Sequence, residues 1–366
     1  MRIPPSPSEV TSAAANVFDM AFGGGLADLR RTPASIIAEA PQCTVFRYLA
    51  PEGAVPTHDL PVLLVPPLAA PPICFDLRRG CSLVEHLLAA SHPTYLVDYG
   101  RIGFSDRDLG LEHWVDEVIP SAVRTVSADA GGRPVQLVGW CLGGIMALLA
   151  AAADPELAIN AIATVASPFD FRQVRLLQTL SPVMRFGGDR VLDPLYRLLG
   201  GAPAPLVRRA FQLTSLDKEL TKPLAKLRHL DDRDFLAQIE AVDHFTRHMH
   251  AYPGRTFGQL YHRFFRVNDL ADGRFALDGR DIELRNVTAP VLAVAGDRDV
   301  LAPVAAAHHV GALLPNAREV RLEVGPGGHL GVLTGRAAQA TTWAWIDAFF
   351  AEHGSDARRP PLRVVA

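Results

Sequence analysis

Apolar residues along the chain fall alternately into short strand-like runs and longer helix-like stretches from residue 61 onwards. The strand-like runs are 61–68, 93–99, 135–140, 159–171, 289–303 and 317–324, and the helix-like stretches are 82–91, 113–130, 142–153, 304–314 and 341–353. Apolar runs of strand length, separated by stretches with helical periodicity, are typical of an α/β protein. The pattern therefore predicts a mostly parallel sheet that is covered by helices on both faces.

Residues 172–286 interrupt this alternation. They form helical segments rich in Leu, Arg, Phe and His, which predicts a helical cap inserted into the α/β core. We therefore expect a core made of residues 46–171 and 287–353. We expect a loosely packed lead-in with one helix over residues 1–45 and a frayed tail over residues 354–366.

The composition argues against several classes of binding partner for this protein. The chain has 366 residues, 49% of them hydrophobic, with a formal net charge of −3, so there is no general electrostatic attraction to nucleic acid or to an anionic membrane. The longest apolar run, 135–153, contains three glycines, and we expect no integral membrane segment. The four cysteines lack the spacing of a zinc site or a disulfide framework, so we expect no metal, no cofactor and a reducing, cytoplasmic location.

The sequence Gly139-Trp140-Cys141-Leu142-Gly143-Gly144 joins a predicted strand to a predicted helix. A nucleophile elbow is a sharp strand-to-helix turn of this kind, with glycines two residues before and two residues after the nucleophile. The segment therefore predicts that Cys141 is a nucleophile at the turn. The alternative is a free cysteine packed in a core strand, because unpaired cysteine behaves as a small hydrophobic residue.

A cysteine nucleophile needs a base, and the base needs a carboxylate to orient it. Asp299 follows the strand at 289–303, and His329 lies in the Gly-rich loop after the strand at 317–324. The order nucleophile, acid, histidine is that of the α/β-hydrolase fold. Asp297 is the alternative acid and is otherwise expected to stabilise its loop.

The sequence also suggests which histidine is the base and which N–H groups form the oxyanion hole. His308 and His309 lie on a predicted helix and lack a loop signature, so we favour His329 as the base. The oxyanion hole is expected to use the N–H of Leu142 and a second N–H from the loop after residue 65. Since proline has no N–H, that loop leaves Leu68 or Ala69 as the second donor.

These motifs together resemble the polyhydroxyalkanoate synthases, whose lipase-like box reads Gly-x-Cys-x-Gly-Gly. The similar stretches are 61–88, 95–100, 107–119, 164–171, 268–303 and 326–335. The resemblance extends over about 61–352 apart from a looser cap, and the length is most similar to the short synthases that work with a separate partner subunit. The chain has Val300 where the family commonly has His, and Ile145 where it often has Thr.

The resemblance implies an acyltransferase of the α/β-hydrolase fold that polymerises (R)-3-hydroxyacyl-CoA into polyester and releases CoA. It implies a homodimer, a possible partner subunit and a possible location at the surface of polyester granules. Cys141 would carry the acyl group, His329 would act as base, and Asp299 would orient His329 or help activate the attacking hydroxyl. A thioesterase or other hydrolase on the same scaffold is the main alternative, and a granule-surface protein without catalysis is a third.

Overall fold

A computed structural model of the protein describes residues 6–50, 60–174, 201–213 and 216–357. Its central element is an eight-stranded sheet with the strand order β1-β2-β4-β3-β5-β6-β11-β12. The strands of this sheet are β1 (Ala34–Ala40), β2 (Cys43–Tyr48), β3 (Val62–Val65), β4 (Thr94–Asp98), β5 (Val135–Trp140), β6 (Ile159–Val165), β11 (Val291–Gly296) and β12 (Val320–Gly325). Strands β4, β3, β5, β6, β11 and β12 pair in parallel, so the predicted α/β-hydrolase fold with a mostly parallel sheet is confirmed.

Helices cover both faces of the sheet. The helices are α1 (Pro7–Phe22), α2 (Leu83–Ala89), α3 (Ile119–Asp129), α4 (Leu142–Ala153), α5 (Ala204–Leu213), α6 (Leu216–Arg228), α7 (Arg233–Arg247), α8 (Gly254–Gln259), α9 (Val304–His308), α10 (Val310–Leu313), α11 (Gly331–Thr334) and α12 (Ala344–Ala357). Helices α3 and α4 contribute to the buried cluster on one face, and α2 and α12 contribute to the cluster on the other. All six residues of β5 are buried, as expected for a central strand with both faces covered.

The start of the sheet differs from the expected boundary at residue 46. Besides the expected helix, residues 1–45 contain β1, which pairs antiparallel with β2, and β2 pairs antiparallel with β4. Ile37 and Ala38 pack against the main core cluster. β1 lies at the edge of the sheet and none of its residues is fully buried, so it lacks the continuous apolar run of a core strand.

The cap region, 172–286, contains helices α5 to α8 in its described part, together with a π-helical segment, Leu260–Val267. It also contains the short strands β7 (Gly201–Ala202) and β8 (Tyr252–Pro253) and the hairpin of β9 (Arg274–Leu277) and β10 (Arg280–Glu283). The hairpin departs from the expected all-helical cap. It turns at Asp278-Gly279, where both residues have positive φ, the usual requirement of a two-residue hairpin turn.

The hairpin packs on the core through Phe275, Leu277 and Ile282, so this part of the insertion belongs to the core layer. At the other end of the chain, α12 continues to Ala357 and so includes the first residues of the expected tail at 354–366. Within the described ranges, no helix combines the length and the apolarity that crossing a membrane would require.

Candidate active site

Cys141 lies at the turn between β5 and α4, and its backbone adopts φ 54° and ψ −123°. A positive φ is costly for a residue with a side chain, so neighbouring contacts must hold the turn in place. The Cys141 N–H donates to the Val165 carbonyl at 2.9 Å, and Ser167 Oγ donates to the Cys141 carbonyl at 2.7 Å. The side chain is half-buried and belongs to a free cysteine.

The two glycines beside the turn allow strand and helix to approach closely. A Cβ at Gly139 would overlap the backbone of Gly144, and a Cβ at Gly143 would overlap the Val65 carbonyl oxygen. Because each overlap is with backbone, a side chain at either position would move the elbow itself. The turn therefore has the close packing that a nucleophile elbow requires.

Asp299 and His329 come together at the carboxyl end of the sheet. Asp299 follows β11, and its Oδ1 accepts the N–H groups of Leu301 and Ala302, each at 2.8 Å. Its Oδ2 lies 2.8 Å from Nδ1 of His329, and the two side chains are 0% and 8% exposed. The charge of Cys141 and a hydrogen bond with it also raise the pKa of His329, so the thiol lies close to the imidazole. The structure thus brings Cys141, His329 and Asp299 together in that order.

The pKa values of the histidine and the carboxylate move in opposite directions. Burial raises the pKa of Asp299, but the charge and hydrogen bond of His329 and two backbone N–H groups outweigh it, so the pKa lies below its usual value. Burial lowers the pKa of His329, but the charges of Asp299 and Cys141 and hydrogen bonds to both raise it well above its usual value. The pair therefore favours a carboxylate beside an imidazolium.

Trp140 is a further residue of the site, which the sequence analysis did not identify. Its Nε1 donates to the carbonyl of His329 at 3.1 Å, and its ring centroid lies 5.3 Å from that of the imidazole. On its other side it meets Phe245 of α7 edge-on at 6.0 Å. Trp140 thus links the cap to the loop that carries the histidine. In the sequence, the feature that could have identified Trp140 was its position directly before the nucleophile.

The alternative acid and the alternative histidines have other partners. Oδ1 of Asp297 accepts the N–H of Gly327 at 2.7 Å, and its side chain is 47% exposed. Nε2 of His308 lies 3.0 Å from the Glu323 carbonyl. Nε2 of His309 lies 2.8 Å from the Ala271 carbonyl. Asp297 therefore braces the loop that carries His329.

The predicted oxyanion donors lie at the start of α4 and in the loop after β3, which approach each other at Gly143. Across the described part of the chain, the N–H groups of Leu142, Leu68 and Ala69 have no hydrogen-bond acceptor. Ala69 is held from the cap side, because its carbonyl accepts the N–H of His250 at 2.8 Å. Leu142 and either residue of the 68–69 pair remain the candidate donors for a developing oxyanion.

Two further groups of side chains have residue types that occur in metal or redox sites. In the described ranges, the one cluster with metal-ligand spacing is Glu319, Glu352 and His353, but Arg321 donates to both carboxylates at 2.7 and 2.6 Å. A guanidinium between the carboxylates disfavours a cation there. The cysteines other than Cys141 are buried, and burial raises the pKa of each thiol, so they have the character of packed core residues.

Comparison with known proteins identifies the family of the fold and several similar proteins. A sequence model of the family described as "alpha/beta hydrolase fold" matches residues 61–335. Two similar proteins are Poly(3-hydroxyalkanoate) polymerase subunits PhaC. The one from Allochromatium vinosum is 27% identical over 86% of this chain and 88% of its own length. The one from Haloferax mediterranei is 25% identical over 88% of this chain and 64% of its own length.

Among solved structures, mouse alpha/beta hydrolase domain-containing protein 10 is similar with a TM-score of 0.50 and 16% identity, covering 87% of this chain and 99% of its own. At that identity the likeness concerns the fold alone. Together with the matches to polymerase subunits, these findings describe an enzyme that is a polyhydroxyalkanoate synthase-like α/β hydrolase.

Proposed function

The chain belongs to the α/β-hydrolase fold family, and we propose that it is an acyltransferase that polymerises (R)-3-hydroxyacyl-CoA into polyester through a thioester on Cys141. The observation that carries the proposal is a cysteine at the elbow, connected to a buried His329–Asp299 pair. The similarity to polymerase subunits supports the substrate class.

In the acylation step, His329 takes the proton of the Cys141 thiol, and the sulfur attacks the thioester carbonyl of the acyl-CoA. The new S–C bond forms, the bond from the carbonyl carbon to the CoA sulfur breaks, and His329 gives its proton to the departing CoA thiolate. The N–H of Leu142 and an N–H of Leu68 or Ala69 would stabilise the oxyanion formed on the way. The positive end of the α4 dipole lies at Cys141 and favours negative charge there.

A cysteine suits polymerisation better than a serine. Transfer from CoA to Cys141 exchanges one thioester for another, so the enzyme-bound acyl group keeps most of its transfer potential. In elongation, the 3-hydroxyl of one unit attacks the thioester carbonyl of another, His329 accepts the hydroxyl proton, and the sulfur of Cys141 leaves. Asp299 orients His329, and a direct role toward the hydroxyl is an extension of the same proposal.

The cap would protect the acyl thioester from water. Residues 245–250 contact the site at Trp140 through Phe245 and at Ala69 through the His250 backbone. A cap at this position can exclude water while a segment of it moves to admit the acyl-CoA. Residues 175–200 of the expected cap lie outside the described residues.

Hydrolysis is the alternative outcome at the same residues, because the elbow, His329 and the oxyanion donors would serve an attacking water equally well. Incubation with 3-hydroxybutyryl-CoA separates the two activities. Insoluble polyester with release of CoA supports the polymerase, whereas free 3-hydroxybutyrate in proportion to CoA release supports a thioesterase. Purified Cys141→Ala protein is the control for each product, and absence of both products would support the third alternative, a protein without catalysis.

The assembly is part of the same proposal. We expect a homodimer formed through the cap, a partner synthase subunit that raises activity, and a cytoplasmic location at the polyester granule surface. Light scattering of the protein during chromatography measures the first, and the polyester assay with and without candidate partner subunits measures the second. A fully active monomer that no subunit stimulates would contradict this part of the proposal and leave the chemistry unchanged.

A further inference from the structure

A group of basic side chains lies beside the C-terminal end of α7. We call it the cationic cluster, and its members are Arg31, Arg101, His244, Arg247, His248 and His250. His244, Arg247 and His248 lie three and four residues apart and so share one face of the helix. The rings of His244 and His248 are 4.3 Å apart, and Nδ1 of His248 donates to the His244 carbonyl at 2.8 Å.

The remaining members lie within electrostatic reach of this helix face. The pKa of His244 is lowered by burial and then by the positive charges of His248, Arg247 and Arg31. The pKa of His250 is lowered by burial, raised by Asp98, and lowered again by Arg101 and His248. Basic groups from three parts of the chain therefore act on these two histidines.

The three arginines of the cluster are exposed, and none forms an ion pair with a carboxylate among the residues that the structure describes. The two acids that raise the pKa of His244 and of His250, Glu240 and Asp98, have other hydrogen bonds. Glu240 accepts the N–H groups of Leu26 and Ala27 at 2.7 and 3.2 Å, and Asp98 accepts the N–H of Gly100 at 2.9 Å. The cluster therefore keeps a local excess of positive charge, although the whole chain is slightly acidic.

Stabilisation of the helix dipole explains only part of this arrangement. Arg247 and His248 are well placed to interact with the carbonyl end of α7. Arg31, however, comes from the segment before β1, and Arg101 comes from the loop after β4. The dipole of α7 therefore does not account for these two arginines.

The cluster lies next to the candidate active site. Phe245, one residue after His244, packs against Trp140, and the N–H of His250 binds the carbonyl of Ala69 in the oxyanion loop. Arg101 follows β4 at the carboxyl edge of the sheet, the edge at which Cys141 also lies. Open α/β sheets bind their ligands at this edge.

We propose that the cationic cluster binds the phosphate groups of the coenzyme A moiety while the thioester end of the same molecule reaches Cys141. This inference rests on the proposed function, because that function supplies the CoA thioester. Coenzyme A carries a pyrophosphate and a 3′-phosphate at the far end of an extended pantetheine arm. Guanidinium groups beside the oxyanion loop, facing solvent, suit such a ligand, since they pair with phosphate oxygens through two parallel hydrogen bonds.

The experiment compares a double variant, Arg101→Gln with Arg247→Gln, with wild type on two substrates. One is 3-hydroxybutyryl-CoA, and the other is the N-acetylcysteamine thioester of the same acid, which has the reactive group but no phosphate. Loss of each arginine should raise KM for the CoA substrate about fivefold. KM for the short thioester should stay within about twofold of wild type, the range of surface substitutions away from a binding site.

Two matched variants control for charge and folding. Arg124→Gln removes an exposed arginine of α3 that pairs with Asp154 at the far end of α4, about 18 Å along α4 from Cys141, and should leave both KM values unchanged. Arg101→Lys with Arg247→Lys keeps the charge and should restore most of the affinity for the CoA substrate. Thermal unfolding of each variant shows whether it is folded.

Direct binding makes this test independent of turnover. Calorimetry with adenosine 3′,5′-bisphosphate should give a Kd that rises with salt and is weakened at least about fivefold in the double variant. If the wild-type protein turns over both thioesters but the double variant has the same KM and the same affinity for the bisphosphate, the phosphate site is wrong and the proposed function stands. No turnover of either thioester, combined with bisphosphate binding that the double variant loses, would overturn the proposed function and retain the phosphate site.

Discussion

Replacement of Asp299 by Asn tests the candidate site most directly, because it changes charge at nearly constant shape. The side-chain oxygen of Asn can still accept the N–H groups of Leu301 and Ala302, so the loop after β11 should keep its conformation. The amide NH2 would then face Nδ1 of His329, where Oδ2 of Asp299 now lies at 2.8 Å. Two donors would oppose each other unless the imidazole moved its proton to Nε2.

The size of the effect follows from the contact that is lost. A hydrogen bond to a charged group contributes about 1.5–3 kcal/mol, which corresponds to a loss of about 10-fold to 150-fold in acylation rate. The loss should be smaller than the roughly 10⁴-fold loss for the equivalent change beside a serine nucleophile, since a thiol ionises more easily than a hydroxyl. If Asp299 also serves the attacking 3-hydroxyl, elongation should slow more than acylation.

The same change should alter the pH dependence. Against the lowering effect of burial, the charge of Asp299 is the largest contribution that raises the pKa of His329. Without the carboxylate the imidazolium is less stable, so the pKa of His329 falls. If the imidazolium is the proton donor to the CoA thiolate, activity is lost as pH rises through this pKa. The alkaline limb of the acylation profile should therefore move to lower pH in Asp299→Asn.

The assay is mass spectrometry of intact protein after brief mixing with 3-hydroxybutyryl-CoA, with polyester yield measured in parallel across pH. Asp297→Asn is the matched control, since an asparagine oxygen can still accept the Gly327 N–H and the side chain is exposed. Its acylation rate should stay within about twofold of wild type. Equal rates for Asp299→Asn and wild type, or a larger loss in Asp297→Asn, would refute the assignment of Asp299.

The remaining predictions concern three neighbouring residues. Cys141→Ala should abolish acylation, and Cys141→Ser should leave at most slow activity. Either change should alter the free energy of unfolding by roughly 1 kcal/mol. An acyl adduct on the Cys141→Ala protein, detected by mass spectrometry of intact protein, would show that Cys141 is not the nucleophile. His329→Gln should cripple acylation, because the site then lacks its base, and CoA release at the wild-type rate would contradict that role. Trp140→Phe leaves the half-buried His329 carbonyl without this donor and should slow acylation about tenfold. Its control is Trp343→Phe, which loses a similar bond to Leu333 and should reduce thermal stability without slowing acylation.

The local sequence determined several features by itself. An elbow requires glycine two residues before and two residues after the nucleophile, so Gly139 and Gly143 predicted from the sequence that Cys141 is the nucleophile. The alternation of strands and helices predicted the parallel sheet, because each element has its own apolar period. The Asp-Gly turn between β9 and β10 had an equally local signal, which the helical composition around it obscured.

The tertiary structure decided which side chains meet. Asp297 and Asp299 both follow β11, and only the folded loop directs Asp299 to His329 and Asp297 to the Gly327 backbone. The contact of Trp140 with Phe245 joins the core to the cap. The cationic cluster likewise joins the segment before β1, the loop after β4 and the end of α7. Such contacts depend on how whole elements pack, whereas periodicity and turn chemistry describe only residues that are neighbours along the chain.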